Sequence, residues 1–365
     1  MILKNCDMKA FSERCRGKKL ACFGIGFDFE KILKNYRGYA WMRQIAYLLD
    51  NSPSKAGTKK EIAGRVYEVE SLERFLATNP ACSGLVILIT CSHWAEIVEQ
   101  LNALEAFGGT ECYIYDFMYA LSEGEVLEIP RAESCRIPSV IHYCWFGKKE
   151  LPDLYKRCIE SWRTFCPGYE IKEWNEANCD TDETVFTKQA YECGRYGFVP
   201  DYFRLKIIYE HGGIYLDTDV ELLKSLDDLR KNEAFCGLEA PGEAALGLGF
   251  GAVPGHGVIK RLMERYRRMR FIKPDGTQDE TISPLYQTED LMELGMEYGN
   301  RLQTVEGMTI YPTEVLSPKN IITGELCITE YSYALHHYDG SWVSGERLRK
   351  KRRREEAVKK IRRFI

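Results

Sequence analysis

The hydrophobic positions along this chain fall into two series of strand-sized runs separated by helical stretches. Lys19-Leu20-Ala21-Cys22-Phe23 is an apolar run that enters a turn at Gly24-Ile25-Gly26. Ala46-Tyr47-Leu48-Leu49-Asp50 predicts a second strand, one that ends in an acid. Leu85 to Thr90 is continuously apolar, the pattern of a strand buried on both faces of a parallel sheet. Trp94 to Phe107 has helical spacing, and Cys112-Tyr113-Ile114-Tyr115-Asp116 closes the first series as another strand. The chain turns polar between Glu123 and Pro138, and a second series opens sharply at Ile137-Pro138-Ser139-Val140-Ile141-His142-Tyr143-Cys144-Trp145-Phe146-Gly147. Strands alternating with helices predict an α/β fold with right-handed crossovers in both halves.

The expected organisation is a Rossmann-like domain over 1–125, a linker over 126–136, a second α/β domain over 137–345 and a basic segment over 346–365. A total of 365 residues agrees with two domains. The first glycine turn invites a dinucleotide reading, with Asp50 as the ribose-binding acid and an oxidoreductase as the function. Gly24-Ile25-Gly26-Phe27-Asp28-Phe29 lacks the third glycine of that fingerprint, however, and puts an acid where a pyrophosphate would approach. The expectation is therefore a domain kept for packing or partner binding.

Charge changes the picture in one place. The chain carries 50 Lys+Arg against 54 Asp+Glu, which excludes a globally basic nucleic-acid binder. Residues 346–365 nevertheless hold eleven basic and three acidic residues, a net +8. Val358, Ile361 and Ile365 fall on one helical face there, so the segment is expected to lie on an anionic membrane. No run approaches the length of a membrane span, and the first twenty residues lack the apolar core of a signal peptide. Fourteen scattered cysteines with no C-x-x-C pair predict buried thiols in a reduced cytoplasm.

The chemistry concentrates between Asp201 and Val220. Phe203, Ile207 and Ile208 have helical spacing, Asp201 and Arg204 share a face at i and i+3, and Gly212-Gly213 stops the helix. Ile214-Tyr215-Leu216 then reads as a short strand that ends at Asp217-Thr218-Asp219. Carboxylates at i and i+2 of an extended chain point the same way. At the carboxyl end of a buried strand they face the crevice where open α/β sheets bind ligands. Two like charges so placed call for a hard divalent cation with oxygen ligands. Gly247-Leu248-Gly249-Phe250-Gly251 follows no strong strand and reads as a flexible loop, and Thr281-Ile282-Ser283-Pro284 is expected to line the acceptor side.

Asp201-x-x-Arg204 with His211-Gly212-Gly213-Ile214-Tyr215-Leu216-Asp217-Thr218-Asp219 resembles the sugar-binding-region glycosyltransferases with a DXD motif, family 32. The opening strand from Ile137 to Gly147, the blocks Cys158 to Trp162, Pro167 to Glu170 and Glu173 to Glu176, and the closing His336-His337-Tyr338-Asp339-Gly340-Ser341-Trp342 agree with that group in order. The resemblance implies a GT-A domain that uses Mn²⁺ or Mg²⁺ and moves a sugar, with retention, from a nucleotide-sugar donor, a UDP-sugar first. It implies a glycan or lipid-linked glycan acceptor in capsule, lipopolysaccharide or exopolysaccharide synthesis, on the inner membrane face. By the same resemblance Trp145 stacks on the donor base, and Asp201 and Arg204 hold the donor sugar and the phosphate side. Asp217 reaches the ribose and, through water, the metal, while Asp219 binds the metal directly. His337 is the expected third ligand, with His336 structural, and Ser341 and Trp342 close over the diphosphate. Glu239 and Glu314 are candidate nucleophiles, but front-face attack is favoured. The competing expectation is an inactive binding protein with a relict D-x-D.

Overall fold

The computed structural model describes residues 1–82, 84–118, 134–239, 242–321, 324–340 and 345–361. The chain divides into two compact units, one formed by Met1–Glu123 with Glu346–Ile365 and the other by Gly124–Gly345. Most of the expected linker, 126–133, lies outside the described residues, as do Ser341, Trp342 and Ile365.

The first unit is built on a seven-stranded sheet: β1 (Ile2–Lys4), β2 (Lys19–Phe23), β3 (Ile45–Leu49), β4 (Lys59–Ile62), β5 (Arg65–Glu70), β6 (Leu85–Ile89) and β7 (Glu111–Ile114). Their order is β1-β7-β6-β2-β3-β5-β4, parallel throughout except for the antiparallel β4–β5 hairpin. Every residue of β6 is buried, as its unbroken apolar run requires. Asp50, the proposed ribose acid, is turned onto its own loop. Its carboxylate accepts from the backbone N–H of Ile25 at 2.7 Å and of Ser52 at 2.8 Å, and pairs with Lys55 Nζ at 2.9 Å. These contacts brace the Gly24–Gly26 turn and use the oxygens a ribose would need.

The basic segment corrects an expectation. A helix spans Gly345–Ile361, and its Val358 and Ile361 pack into the core of the first unit with Ile87, Ile97, Val98 and Leu101. Those side chains are 4% and 1% exposed. The apolar face expected to enter a leaflet is thus core of the first unit, and amphipathic spacing cannot distinguish the two destinations because both demand the same stripe.

The second unit has a mixed sheet. Its strands are β8 (Val140–Cys144), β9 (Glu170–Trp174), β10 (Gly213–Tyr215), β12 (Ala234–Glu239), β13 (Glu243–Ala244), β14 (Phe250–Ala252), β15 (Gln303–Val305) and β16 (Met308–Tyr311). The order is β15-β16-β12-β14-β10-β8-β9, with β13 paired to β12. A separate ribbon joins β11 (Val220–Leu222) antiparallel to β17 (Ala334–His336). The α/β class expected from the sequence holds in both units.

Strand β10 is central, parallel to β8 and antiparallel to β14. The helix Pro200–His211 that precedes it is buried nearly all round, with Pro200 in its first turn and Gly212 stopping it at φ +66°. Gly213 follows at φ +97°, where a Cβ would lie 2.8 Å from Val140 O and 2.9 Å from His142 Nε2. Only glycine lets the chain reverse this tightly into β10. His142 locks the turn from below. Its Nδ1 accepts from Trp174 Nε1 at 3.0 Å, which leaves Nε2–H to donate to Gly212 O at 3.0 Å.

Candidate active site

The central strand delivers Asp217 and Asp219 to its carboxyl end, and the helix before it supplies Asp201 and Arg204. Arg204 Nη2 stands 3.1 Å from Asp201 Oδ1 and 3.4 Å from Asp217 Oδ1. The guanidinium also lies over the Tyr215 ring, 5.2 Å from its centroid. The Asp201 and Arg204 side chains are 7% and 6% exposed, whereas Asp217 is 29% exposed and forms the open end of the array. Burial pushes the Asp201 carboxyl up to about 6, against the pull of Arg204 and a hydrogen bond from Ser283. Burial also works against the charge on Arg204, but Asp217, Tyr215 and Asp201 hold it firmly protonated. The result is a desolvated cation flanked by two acids, a fixed positive group set behind the open end that Asp217 forms.

Gly247 makes that array possible. A Cβ there would lie 2.3 Å from Asp217 Oδ2 and 3.1 Å from Arg204 Nη1. Asp217 N donates to Gly247 O at 3.2 Å, so the loop lies directly against the acid. The segment read as a flexible loop is therefore a fixed wall of the site, and Phe250–Ala252 within it is a strand of the sheet.

On the far side, Asp219 meets the closing segment. Its Oδ1 is 3.1 Å from His336 Nε2, and its Oδ2 accepts from the Asp339 N–H at 3.0 Å. Burial would raise the Asp219 carboxyl, yet His336 and the Asp339 N–H hold it down at about 2. Asp339 in turn accepts from Tyr155 Oη at 2.9 Å, and the Tyr155 ring meets Trp145 edge-on at 5.5 Å. Trp145, half-buried, thus belongs to the same constellation, linked to the D-x-D through Tyr155 and Asp339. Tyr338, at φ +55°, hydrogen-bonds Glu239 and packs its ring 4.3 Å from His336. Glu239 is buried beside this cluster, while Glu314, half-buried, has its carboxyl raised by burial.

Of the two histidines, it is the His336 ring, and not that of the expected His337, that lies against Asp219. The β11–β17 register sets His336 opposite Val220 and Leu335 opposite Glu221. Alternation then puts His336 on the inner face with Val220, and His337 on the face of Glu221. His337 Nε2 accordingly bonds Glu221 Oε2 at 2.8 Å, away from Asp219.

Whether these residues suit a divalent cation turns on their donor chemistry. Among the described residues no three His, Cys, Asp or Glu side chains close a cage around one point. A hard cation that is completed by phosphate oxygens needs no such cage, only one or two carboxylates. Asp217 and Asp219 provide these, with the His336 imidazole beside them, a set that suits Mn²⁺ or Mg²⁺. His336 Nδ1 is buried with no partner among the described residues, so its Nε2 contact with Asp219 is the polar contact the structure shows for this ring. The set fits with His336 in place of His337. Of the residues expected from the sequence, the structure brings Trp145, Asp201, Arg204, Asp217 and Asp219 into one neighbourhood, and Tyr155, Gly247, Asp339 and His336, which the sequence did not single out for it, join them. Ser341 and Trp342 lie outside the described residues.

Residues 152–236 match the family described as glycosyltransferase sugar-binding region containing DXD motif. Inositol phosphoceramide mannosyltransferase 3 of Schizosaccharomyces pombe is 27% identical over 150 residues, which cover 40% of this chain and 41% of that protein. The chain therefore spans less than half the length of this curated relative. Among solved structures, PaToxG glycosyltransferase is 15% identical, covering 45% of this chain and 72% of its own, at a TM-score of 0.34. Aspartate semialdehyde dehydrogenase II of Vibrio cholerae is 14% identical over 81% of this chain and 69% of its own, at a TM-score of 0.22. Both superpositions are too loose to transfer a fold. The matched stretch holds the whole run from Asp201 to Asp219, so the likeness to the DXD-containing sugar-binding-region glycosyltransferases lies on the residues of this site.

Proposed function

We propose that the second unit transfers a glycosyl group from a nucleoside diphosphate sugar, a UDP-sugar first, to a glycan or lipid-linked glycan, with Mn²⁺ or Mg²⁺ held at Asp217, Asp219 and His336. The observation that carries this reading is the buried Asp201–Arg204–Asp217 array beside the anionic Asp219. A divalent cation bound there supplies a Lewis acid for the diphosphate leaving group. Arg204 adds a fixed, desolvated positive charge where negative charge develops on the departing phosphate, and needs no reorganisation at that moment. Asp201 and Asp217 hold that guanidinium in place. Asp201, with its raised affinity for a proton, also suits a hydrogen bond to a sugar hydroxyl. Trp145 offers an aromatic face to the donor base, a contact that suits any planar ring.

No carboxylate is assigned as nucleophile, and retention follows from front-face attack by the acceptor. Surface-polysaccharide synthesis in the cytoplasm, at the inner membrane face, is the setting we assign, on the resemblance of the motifs alone. The relative's name adds a mannosyl donor and a lipid-borne acceptor to the compounds worth testing. The test is release of nucleoside diphosphate from UDP-glucose, UDP-galactose, UDP-N-acetylglucosamine and GDP-mannose with Mn²⁺ present. Release from at least one donor, lost on chelation, is expected. No release from any donor, with or without an acceptor extract, contradicts the reading.

A further inference from the structure

The helix Ser283–Glu293 sets one side chain on the Asp201–Asp217 array and another, one turn further on, on the loop that walls it. Ser283 hydrogen-bonds the Asp201 carboxylate. Gln287 Oε1 accepts from the Leu246 N–H at 3.0 Å, and so grips the residue next to Gly247, whose own Cα lies against Asp217 and Arg204. Gln287 is 1% exposed, and its Nε2 has no partner among the described residues. The donor half of this amide is thereby buried and unpartnered, on the side chain that holds the residue before Gly247. Tyr266 repeats the pattern from a neighbouring helix, Gly257–Arg268. Its hydroxyl is buried without a partner among the described residues, within electrostatic reach of Asp201 and Arg204. Buried polar groups in native proteins are almost always hydrogen-bonded, so two open ones beside one acid–arginine pair ask for a ligand that brings hydroxyls.

Resting on the glycosyltransferase reading, we infer that Gln287 is a specificity-determining residue that donates from Nε2 to a hydroxyl of the donor sugar, with Asp201 accepting from the same ring and Tyr266 beneath it. The amide works in both directions: its oxygen fixes the Gly247 loop, and its nitrogen reads the sugar. A donor that lacks the contacted hydroxyl leaves a buried N–H unsatisfied, the situation in which enzymes discriminate most strongly. The nucleoside and diphosphate make no use of this contact.

The test separates sugar from nucleotide. Wild type, Gln287→Met and Gln287→Glu are titrated by calorimetry with UDP, GDP, UDP-glucose, UDP-galactose and GDP-mannose in Mn²⁺. Gln287→Glu keeps an acceptor for the Leu246 N–H and removes the donor, and so covers the case in which Gln287→Met disturbs the loop. Expected is a Kd for the free diphosphate within about twofold of wild type, and a Kd for the preferred nucleotide sugar at least tenfold weaker, in both variants. Among deoxy analogues of that donor, wild type should lose affinity at one ring position, and the variants should show no further loss there. Unchanged nucleotide-sugar binding overturns the inference. Equal losses for the free diphosphate and the sugar also overturn it, because Gln287 then only shapes the loop. If wild type binds none of the five compounds, the glycosyltransferase reading fails first and takes this inference with it.

Discussion

Acidification tests the turn that aims the central strand. His142 is 1% exposed, and burial lowers its pKa to about 4, outweighing the hydrogen bond to Gly212 O that favours the charged ring. His211 and Lys172, facing the same ring, add to the depression. An unfolded histidine titrates near 6.5, so between about pH 6.5 and 4 the unfolded chain binds a proton that the folded chain refuses. Stability must fall as pH falls through that window, and no loss from this group occurs above it. For pKa values of about 6.5 and 4, the loss between pH 7.5 and 5 is about 2 kcal/mol, approaching about 3 kcal/mol at lower pH. Asp201, raised to about 6, acts in the opposite sense over the same range, so the total slope is not diagnostic. The difference between wild type and His142→Gln is. Urea unfolding followed by tryptophan fluorescence at pH 7.5, 6 and 5 should show wild type losing about 2 kcal/mol more than the variant, which starts less stable but does not titrate here. Parallel pH profiles for the two proteins would refute a neutral, buried His142 under the Gly212–Gly213 turn.

Other outcomes follow from single contacts. Gly247→Ala places a methyl 2.3 Å from Asp217 Oδ2 and should lower donor kcat/KM by about a hundredfold, the scale of a 1 Å misplacement, as measured by steady-state donor hydrolysis. His336→Ala should abolish most donor turnover while His337→Ala, which removes only the Glu221 contact, stays within a few-fold of wild type; the reverse order in parallel assays would restore His337 to the site. Val358→Asp puts a charge into the first unit's core and should destabilise it by several kcal/mol, seen as a lower urea midpoint; an unchanged midpoint would release the terminal helix from that core.

Much of this was legible in the sequence, for identifiable reasons. Leu85–Ile89 announces its burial on both faces, and Gly212-Gly213 before an apolar triplet and D-x-D announces a helix stop, a central strand and its acidic end. What escaped depends on partners distant in the chain. Lys59–Ile62, at the sheet edge, and Arg65–Glu70 beside it form a charge-rich hairpin whose alternation is half hidden, and Ile2–Lys4 is a strand only because it pairs with Glu111–Tyr113. Choosing between His336 and His337 needs the register against Val220–Leu222, which no local pattern contains. Gly247 looks like any loop glycine until Asp217 and Arg204, dozens of residues earlier, are folded against it.

The central claim is that Asp217 and Asp219 hold a cation on a nucleoside diphosphate at the end of the central strand. Calorimetric titration of UDP and GDP into wild type and Asp219→Asn, each with Mn²⁺ and with EDTA, tests it most directly. The account predicts binding by wild type only when Mn²⁺ is present, and a loss of at least a hundredfold in Asp219→Asn, because an amide cannot replace the anionic ligand. Equal affinity with and without the metal, or an Asp219→Asn variant that binds as wild type does, would contradict it.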